Sequence, residues 1–242
     1  MLAGLVPSIG SVGAVCAILA AGSSTRAGLD KVTADLGGQP VLAWSLAAAV
    51  ASGAFDRIVV VMRPDRPRGP IEAIVRSRVA SASVVAGGET RTHSTWAALA
   101  AAQDADVIAV HDAARPFAPP SLFARCVEIA RKEGSAVAGL PLADTVRRAD
   151  EAGVAVEEVS RDGLWSAQTP QVFRREILER ARIGVGDRSF GDDAAAVRAA
   201  GLPVRMVLGE RRNLKITTTE DLAYARELVA KGLVGIPALQ IR

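Results

Sequence analysis

The amino-acid sequence predicts an α/β protein in which helices cover both faces of a mostly parallel β-sheet. Short runs of apolar and β-branched residues alternate along the chain with alanine-rich segments of helical period. The strand candidates are apolar on both faces, as strands of a sheet covered on both sides must be. Half of the 242 residues are hydrophobic, which is enough for one sizeable core. These observations indicate a Rossmann-like domain.

The expected strands and helices follow one another without a linker or an internal repeat, so residues 1–242 are expected to form a single domain. Residues 1–12 are expected to form a loose extension, because they lack the basic residues of an export signal and the length of a membrane span. The strand candidates are 14–20, 57–62, 82–87, 107–112, 135–141 and 204–209. The helix candidates lie near 41–52, 70–78, 91–102, 120–132, 174–182, 191–200 and 219–230.

Residues 142–164 interrupt this alternation. Apolar and charged residues alternate there around Glu151 and Gly153, which predicts a β-hairpin too polar to lie in the main sheet. Because an isolated hairpin is only marginally stable in water, this β-arm is expected to pack on another surface. A second copy of the chain, in a homodimer, is one candidate. The alternative is that the hairpin folds back on its own domain.

The charge and cysteine content exclude some classes of function. The net charge of +3 comes from 29 basic and 26 acidic residues without a block of like charge, so neither nucleic acid nor a membrane is expected as a partner. A few well-placed cations could instead bind anionic small molecules. Cys16 and Cys126 lack paired or metal-binding spacing, which favours buried, reduced thiols in a cytoplasmic protein.

The loop after the first strand is the first candidate binding site. Ligands of open α/β sheets bind beyond the carboxyl ends of the strands, and here Gly22 lets backbone N–H groups approach an anion closely. Arg26 and Lys31 add two cations to the same loop. The loop matches neither the Walker pattern nor GxGxxG, which argues against the usual kinase and dehydrogenase interpretations.

Further candidates follow other predicted strands. Asp112 and Arg115 lie in the run HDAARP at the end of the fourth strand, whereas the neighbouring His111 is expected to be structural. Lys215 follows the last strand and could reach the same crevice. A group of small and polar residues follows the third strand and opens a helix, where free N–H groups could bind a base edge. The group comprises Gly87, Gly88, Glu89, Arg91 and Ser94.

In order and spacing, eight motifs resemble those of the 2-C-methyl-D-erythritol 4-phosphate cytidylyltransferase (IspD) family. The motifs are AAGSSTR followed by a lysine, GGETRTHS, VHDAARP, ADTV, RDGLW, TPQVF, GDDA and NLKIT. The resemblance covers residues 14–230 and implies a nucleotidyltransferase fold. It also implies a reaction of CTP with methylerythritol phosphate that releases pyrophosphate and uses Mg²⁺. A homodimer that exchanges a β-arm is expected from the same resemblance.

The resemblance also assigns roles to residues of this chain. The backbone of Ala20, Ala21 and Gly22 would hold CTP, and Arg26 and Lys31 would act as catalytic cations on its phosphates. Contacts with cytosine would come from Gly88, Glu89 and Ser94, and Asp112 with Arg115 would face the sugar phosphate. Thr145 and Arg161 of the partner's arm would join Thr169 and Lys215 around methylerythritol phosphate. Mg²⁺ would be held largely by the CTP phosphates, with Asp112 as the candidate protein ligand.

The implied reaction explains why cations are expected to matter more than bases. The nucleophile is a phosphate monoester oxygen that is already anionic near neutral pH, so no side chain has to remove its proton. The obstacle is repulsion between anions, which positioned Arg, Lys and Mg²⁺ relieve as charge develops in the transition state. No histidine is therefore assigned a catalytic role.

Three positions depart from the family's pattern. Asp30 precedes Lys31 where proline is usual, and an exposed Asp30–Lys31 pair would weaken the charge of Lys31 only slightly. Gly191 replaces the usual threonine, which removes one hydroxyl, and Glu89 replaces the common aspartate. Two alternatives therefore stay open. One is a cytidylyltransferase for another polyol phosphate such as ribitol 5-phosphate, and the other is a nucleotide-binding protein without catalytic activity.

Overall fold

A computed structural model describes residues 12–21 and 30–238. The strands of these residues are β1 (Val12–Ala20), β2 (Asp35–Leu36), β3 (Gln39–Pro40), β4 (Arg57–Met62), β5 (Ser83–Ala86), β6 (Ala105–Asp112), β7 (Ser135–Pro141), β8 (Val146–Ala149), β9 (Ala155–Val159), β10 (Trp165–Arg174) and β11 (Met206–Leu208). The helices are α1 (Val41–Ala51), α2 (Arg68–Arg78), α3 (Arg91–Ala101), α4 (Pro120–Glu133), α5 (Arg175–Val185), α6 (Asp193–Ala199) and α7 (Thr219–Ala230). None of these helices is long and apolar enough to cross a membrane.

The main sheet contains seven strands in the order β11-β7-β10-β6-β1-β4-β5. The central strand β1 pairs in parallel with β4 and β6, and β4 pairs in parallel with β5. The edge strand β11 is parallel to β7, whereas β10 is antiparallel to both of its neighbours. The predicted α/β fold with a mostly parallel sheet is therefore confirmed. The carboxyl ends of β1 and β6 lie side by side, because Leu19 is in register with Asp112.

Strand β10 is an element that the sequence pattern does not predict. It contains Pro170 and the polar residues Gln168, Thr169 and Gln171, which are unusual in the middle of a sheet because proline cannot donate to the strand ladder. The pairing of β10 with β7 shifts register between Ala167 and Gln171. This irregular stretch brings polar side chains to the carboxyl end of β6, and its place in the sheet depends on contacts with distant parts of the chain.

The core has a layer on each face of the sheet, because side chains alternate along the buried strands. Ala14, Cys16 and Ile18 of β1 pack on the face that carries α1, α2 and α4. Val15 and Ala17 pack on the opposite face, against residues of α3, α5 and α6. A smaller cluster packs α7 against β2 and α1. β1 is therefore apolar on both faces because helices cover both faces of the sheet, as the sequence predicted.

The segment predicted as a β-arm contains the antiparallel ribbon β8–β9. Nearly all of its side chains are exposed, and Val154 and Val156 keep 60% and 59% of their surface accessible. Cross-strand ion pairs such as Arg148–Glu157, at 2.8 Å, contribute little at such exposure. The ribbon therefore presents apolar side chains that the described part of this chain does not cover, and its exchange within a homodimer stays a prediction.

The amino-terminal boundary differs slightly from the expectation. Strand β1 begins at Val12, because Val12 pairs with Ala105 of β6, so the predicted loose extension of residues 1–12 is one residue too long. Residues 1–11 lie outside the described residues.

Candidate active site

A pocket of about 350 Å³ opens where the carboxyl end of β6 meets the irregular part of β10. Parallel sheets commonly bind ligands at this edge, since the strands end there and the following loops diverge. The lining is strongly charged and polar. It includes Arg91, Asp112, Arg115, Gln168, Thr169, Gln171, Gly191, Asp192 and Lys215.

Asp112 is the anionic centre of the pocket. Its carboxylate oxygens lie 2.6 Å from Nζ of Lys215 and 3.5 Å from Nε of Arg91. Burial alone would raise the pKa of Asp112, but the charges of Arg91, Lys215 and Arg115 outweigh burial and hold that pKa well below its usual range. The carboxylate therefore stays ionised, and it holds the ammonium of Lys215 at the pocket wall.

A chain of hydrogen bonds connects the end of β6 to β10. The hydroxyl oxygen of Thr169 accepts from the backbone N–H of Asp112 at 3.0 Å and lies 3.0 Å from Nδ1 of His111. Nε2 of His111 lies 3.2 Å from the carbonyl oxygen of Arg115, which can only accept. We assign the proton of His111 to Nε2 on this basis, so the Thr169 hydroxyl donates to Nδ1. The Thr169 hydroxyl thus orients the HDAAR turn, although Thr169 also lines the pocket.

The burial of His111 predicts a dependence of stability on pH. Burial lowers the pKa of His111 from 6.5 to about 4, so the imidazole is neutral in the folded protein while the unfolded chain binds a proton below pH 6.5. The free energy of unfolding should therefore fall by up to about 3 kcal/mol as the pH falls from 6.5 toward 4. Urea unfolding across this range measures the loss.

The contribution of His111 can be separated from that of the carboxylates in two ways. The His111→Asn variant should lose part of the pH dependence, and an NMR titration of the His111 ring should show a midpoint near pH 4. A midpoint near the ordinary value of 6.5 would contradict the assignment of a neutral, buried imidazole.

Arg115 organises the loop that carries Lys215. Its guanidinium donates to the carbonyl of Asn213 at 2.7 Å, and the Asn213 amide in turn donates to the carbonyl of Thr169 at 2.8 Å. Burial lowers the pKa of Arg115, although the guanidinium stays charged because its ordinary pKa is so high. Nε of Arg115 is buried and lacks a hydrogen-bond partner among the described residues.

Arg91 is a charged residue of the site to which sequence reasoning assigned no role of its own. It lies at the start of α3 and connects Asp112 to Asp193, whose carboxylate lies 2.8 Å from Nη1 of Arg91. Asp193 is buried and also accepts a hydrogen bond of 2.6 Å from the Thr95 hydroxyl. Asp193 and Asp112 raise the pKa of Arg91 more than burial lowers it, so Arg91 remains a cation beside the pocket.

Gln171 is a second residue that the sequence reasoning missed, although it lies in the quoted motif TPQVF. Its side-chain oxygen accepts from the backbone N–H groups of Asp193 and Ala194, and its nitrogen donates to Asp192 at 2.9 Å. Asp192 also caps α6 by accepting from Ala195. Gln171 thereby fixes the start of α6, and with it Gly191 at the pocket rim. The available signal was the motif TPQVF, in which a polar residue directly precedes the apolar pair Val172 and Phe173.

The residues expected to contact cytosine lie together in the loop after β5 and the first turn of α3. The Ser94 hydroxyl is buried, accepts from the Gly88 N–H at 3.3 Å and donates to the Thr90 carbonyl at 3.0 Å. A Cβ at Gly88 would lie 2.3 Å from Cβ of His93, so this position requires glycine. Glu89 is exposed. Ser94 therefore holds the backbone of the loop whose outer side carries Glu89.

The first candidate loop is only partly described. Ala20 ends β1 and is buried, and Ala21 follows it at the same edge of the sheet. Gly22 and Arg26 lie outside the described residues. Lys31 is described, and its ammonium donates to the backbone carbonyl of Thr217.

The structure corrects the expected partner of Asp30. The Asp30 carboxylate pairs with Arg66 at 2.8 Å and accepts from the Val32 N–H, and within the described residues it makes no ion pair with the adjacent Lys31. The reason is local geometry, because the turn that begins at Asp30 directs its carboxylate toward the loop after β4 while Lys31 extends toward Thr217.

The two arm residues of the predicted site lie away from this pocket. Thr145 and Arg161 are exposed, neither lines the described pocket, and the Arg161 guanidinium donates to the carbonyl of Ala143 on its own arm. A single chain thus brings together Asp112, Arg115, Thr169 and Lys215, but it does not add Thr145 or Arg161 to them. Their action in the site of a second chain therefore stays a prediction.

The donor set around the pocket bears on the expected metal. Within residues 12–21 and 30–238, no group of three His, Cys, Asp or Glu side chains could hold a metal ion. Mg²⁺ bound to nucleotides needs only one or two protein carboxylates, since phosphates and waters supply its other ligands. The ionised Asp112, which lines the pocket, could supply one such carboxylate.

Comparisons with known proteins find relatives over most of the chain. A family model described as 2-C-methyl-D-erythritol 4-phosphate cytidylyltransferase matches residues 14–231. A protein of that name from Rhodococcus jostii is 41% identical over 221 residues, which cover 90% of this chain and 96% of the relative. A bifunctional enzyme IspD/IspF from an Anaeromyxobacter species is 45% identical over 221 residues. This chain spans only 57% of that bifunctional relative.

Solved structures show the same likeness. The crystal structure of 2-C-methyl-D-erythritol 4-phosphate cytidylyltransferase from Thermus thermophilus superposes with a TM-score of 0.73 at 32% identity. The match covers 91% of this chain and 99% of that one. The structure of 4-diphosphocytidyl-2C-methyl-D-erythritol synthase from Anaerococcus prevotii has a TM-score of 0.79 at 27% identity, with 90% and 98% of the two chains covered.

Proposed function

The chain belongs to the 2-C-methyl-D-erythritol 4-phosphate cytidylyltransferase family, and we propose that it transfers a cytidylyl group from CTP to 2-C-methyl-D-erythritol 4-phosphate. The products are 4-diphosphocytidyl-2-C-methyl-D-erythritol, an intermediate of non-mevalonate isoprenoid biosynthesis, and pyrophosphate. The observation that carries the proposal is the pocket at the end of β6, where Arg91, Arg115 and Lys215 surround Asp112. Such a pocket suits a substrate with an anionic phosphate and several hydroxyl groups.

The reaction forms one phosphorus–oxygen bond and breaks another. A phosphate oxygen of the acceptor attacks the α-phosphorus of CTP, and the bond from that phosphorus to the oxygen bridging to the β-phosphate breaks as pyrophosphate leaves. Lys215 and Arg115 lower the repulsion that the acceptor's phosphate meets on entering the pocket. Lys31 and Arg26 are proposed to stabilise the charge that develops on the phosphates of CTP.

We propose Mg²⁺ as the cofactor, bound mainly by the CTP phosphates. When bound it supplies positive charge to the phosphate oxygens and to the leaving pyrophosphate. Asp112 is the proposed protein ligand, since it is ionised and lines the pocket.

We further propose that the protein acts in the cytoplasm as a homodimer with exchanged β-arms, without a nucleic-acid or membrane partner. Two observations support the dimer and the cytoplasmic location. The uncovered apolar residues Val154 and Val156 suit a protein surface, and Cys16 and Cys126 are free and buried. Burial raises the pKa of the Cys126 thiol to about 12, so it stays protonated, as an inert structural thiol would.

A pyrophosphate-release assay tests the function. CTP, UTP and ATP are each offered with 2-C-methyl-D-erythritol 4-phosphate or with ribitol 5-phosphate, with Mg²⁺ present. We expect the highest kcat/KM for CTP with 2-C-methyl-D-erythritol 4-phosphate. A higher kcat/KM with ribitol 5-phosphate would favour the other polyol phosphate, and no release with any pair would favour a non-catalytic nucleotide-binding protein.

Gly191 gives a prediction about acceptor binding. A Cβ at Gly191 would meet no heavy atom of the described residues within 4 Å, and its backbone is not in the left-handed region, so a side chain fits there at the pocket rim. Gly191→Thr should lower the KM for the acceptor by about 5-fold, the equivalent of one hydrogen bond of about 1 kcal/mol. The control is Gly191→Val, which has the same shape without the hydroxyl and should not lower KM. Equal values for both variants would show that no hydroxyl contact is missing.

A further inference from the structure

The turn that carries Lys31 is tied to a loop from another part of the sheet. Oδ1 of Asp30 lies 2.8 Å from Nη1 of Arg66, in the loop between β4 and α2. The same oxygen lies 3.3 Å from the backbone nitrogen of Val32, and the Asp30 carbonyl accepts from the N–H of Ala34 at 2.9 Å. One residue thus closes a short turn and attaches that turn to Arg66.

The Asp30–Arg66 pair is better shielded from water than an ordinary surface ion pair. The Arg66 side chain is only 16% exposed, whereas Asp30 is 41% exposed. Shielding of one partner strengthens the attraction, since the effective dielectric constant there is lower than in water. The Arg63–Asp65 pair of the same loop differs in what it connects. Arg63 binds Asp65 two residues away, so this pair connects two residues of one loop.

Lys31 lies between this anchor and a second fixed point. Its ammonium donates to the carbonyl of Thr217, whose own N–H and hydroxyl are bound by Asp221 at the start of α7. Thr217 lies two residues after Lys215, which lines the pocket. The direction of the Lys31 side chain therefore depends on the backbone at residues 30–32 as well as on the loop that carries Lys215.

We infer that Arg66 is a positioning residue, which through Asp30 holds the turn that aims Lys31 at the reacting phosphates. This inference rests on the proposed function, because it assigns Arg66 a role through Lys31 in cytidylyl transfer. It requires no contact between Arg66 and a substrate. A long lysine side chain has many rotamers, so an anchored backbone is what limits the positions its ammonium can reach.

Kinetics provide the first test. Arg66→Gln and Asp30→Asn should each lower kcat ~10-fold or more, since misplacing a catalytic group by about 1 Å can cost ~100-fold. The matched control is Arg63→Gln, which removes the same kind of charge from the same loop and should leave kcat within about 2-fold of wild type. Arg66→Lys should recover part of the activity. Equal losses in the Arg63 and Arg66 variants would overturn the inference, because they would reflect only the charge of the loop.

A double-mutant cycle distinguishes positioning from direct contact with CTP. If Arg66 acts through Lys31, then Arg66→Gln should lower kcat by less than about 2-fold in a Lys31→Ala background. If Arg66 binds a phosphate itself, the two losses should multiply, and the inference fails.

A measurement without catalysis separates this inference from the proposed function. The sequence contains the lysines Lys31, Lys132, Lys215 and Lys231, so acetylation at each can be followed by mass spectrometry. Arg66→Gln should raise the acetylation rate of Lys31 several-fold relative to Lys132 and Lys231, and Arg63→Gln should not. An unchanged Lys31 rate would overturn the inference even if transfer is observed. A raised rate in a protein without transfer activity would uphold the anchor and refute the proposed function.

Discussion

Replacing Lys31 by alanine should lower kcat by ~100-fold or more, and Arg26→Ala should do the same, while the fold is retained. The reason is that both cations are proposed to act on negative charge that develops in the transition state, so their loss affects kcat more than substrate binding. The Lys31 side chain is bound to the carbonyl of Thr217 and lies outside the buried core, so its removal should not unfold the protein. Steady-state kinetics with both substrates varied measure the effect.

The chain supplies its own controls for this prediction. Lys132 and Lys231 are exposed lysines that pair with Glu128 and Glu227 on their own helix segments. Alanine at either position should leave kcat within about 2-fold of wild type, since surface changes away from a site are usually small in effect. An unchanged kcat for Lys31→Ala would show that the turn after Asp30 has placed this lysine outside the reaction.

Mixing two inactive variants should restore about a quarter of wild-type activity if the arms are exchanged. The variants are Arg161→Ala and Lys31→Ala, which are unfolded and refolded together. In a mixed dimer, one site receives the intact Lys31 from one chain and the intact Arg161 from the other, and the second site receives both defects. With random pairing, about half of the dimers are mixed and half of their sites are complete.

The alternative outcome is equally specific. If Arg161 serves its own subunit, every site in the mixture contains one defect, and activity stays at the level of the single variants. Mass spectrometry must show that mixed dimers have formed. Failure to recover activity in their presence would remove the exchanged arm from the proposed function and leave the ribbon β8–β9 as a local feature.

Much of the fold could be predicted because its determinants are local. The apolar residues on both faces of 14–20 indicated a buried parallel strand, and β1 is indeed covered on both faces. The placement of Asp112 at a strand end followed from the same pattern, since the apolar run stops there. The charged hairpin could also be predicted from the sequence. Its polar and apolar residues alternate with a period of two, which indicates strands with one exposed face.

Strand β10 shows where such patterns fail. The middle of β10 has a low propensity for a central strand, because it consists of Gln168, Thr169, Pro170 and Gln171. It nevertheless forms one, because groups from distant parts of the chain satisfy its polar atoms. The Thr169 hydroxyl meets His111 across 58 residues of sequence, and Gln171 meets the start of α6. A buried polar group is tolerated only where a partner is present, and sequence spacing does not identify that partner.

Residue types and their order were enough to place Asp112, Arg115 and Lys215 in one crevice, because strand ends share one edge of a sheet. How these charges pair became visible only in the folded domain. Arg91 forms an ion pair with Asp112, and Asp30 forms one with Arg66 instead of Lys31. The Lys31 ammonium donates a hydrogen bond to Thr217, which is 186 residues away in the sequence. The physical reason is that an ion pair or hydrogen bond depends on distances of a few ångströms, which packing of the whole domain sets after the local elements have formed.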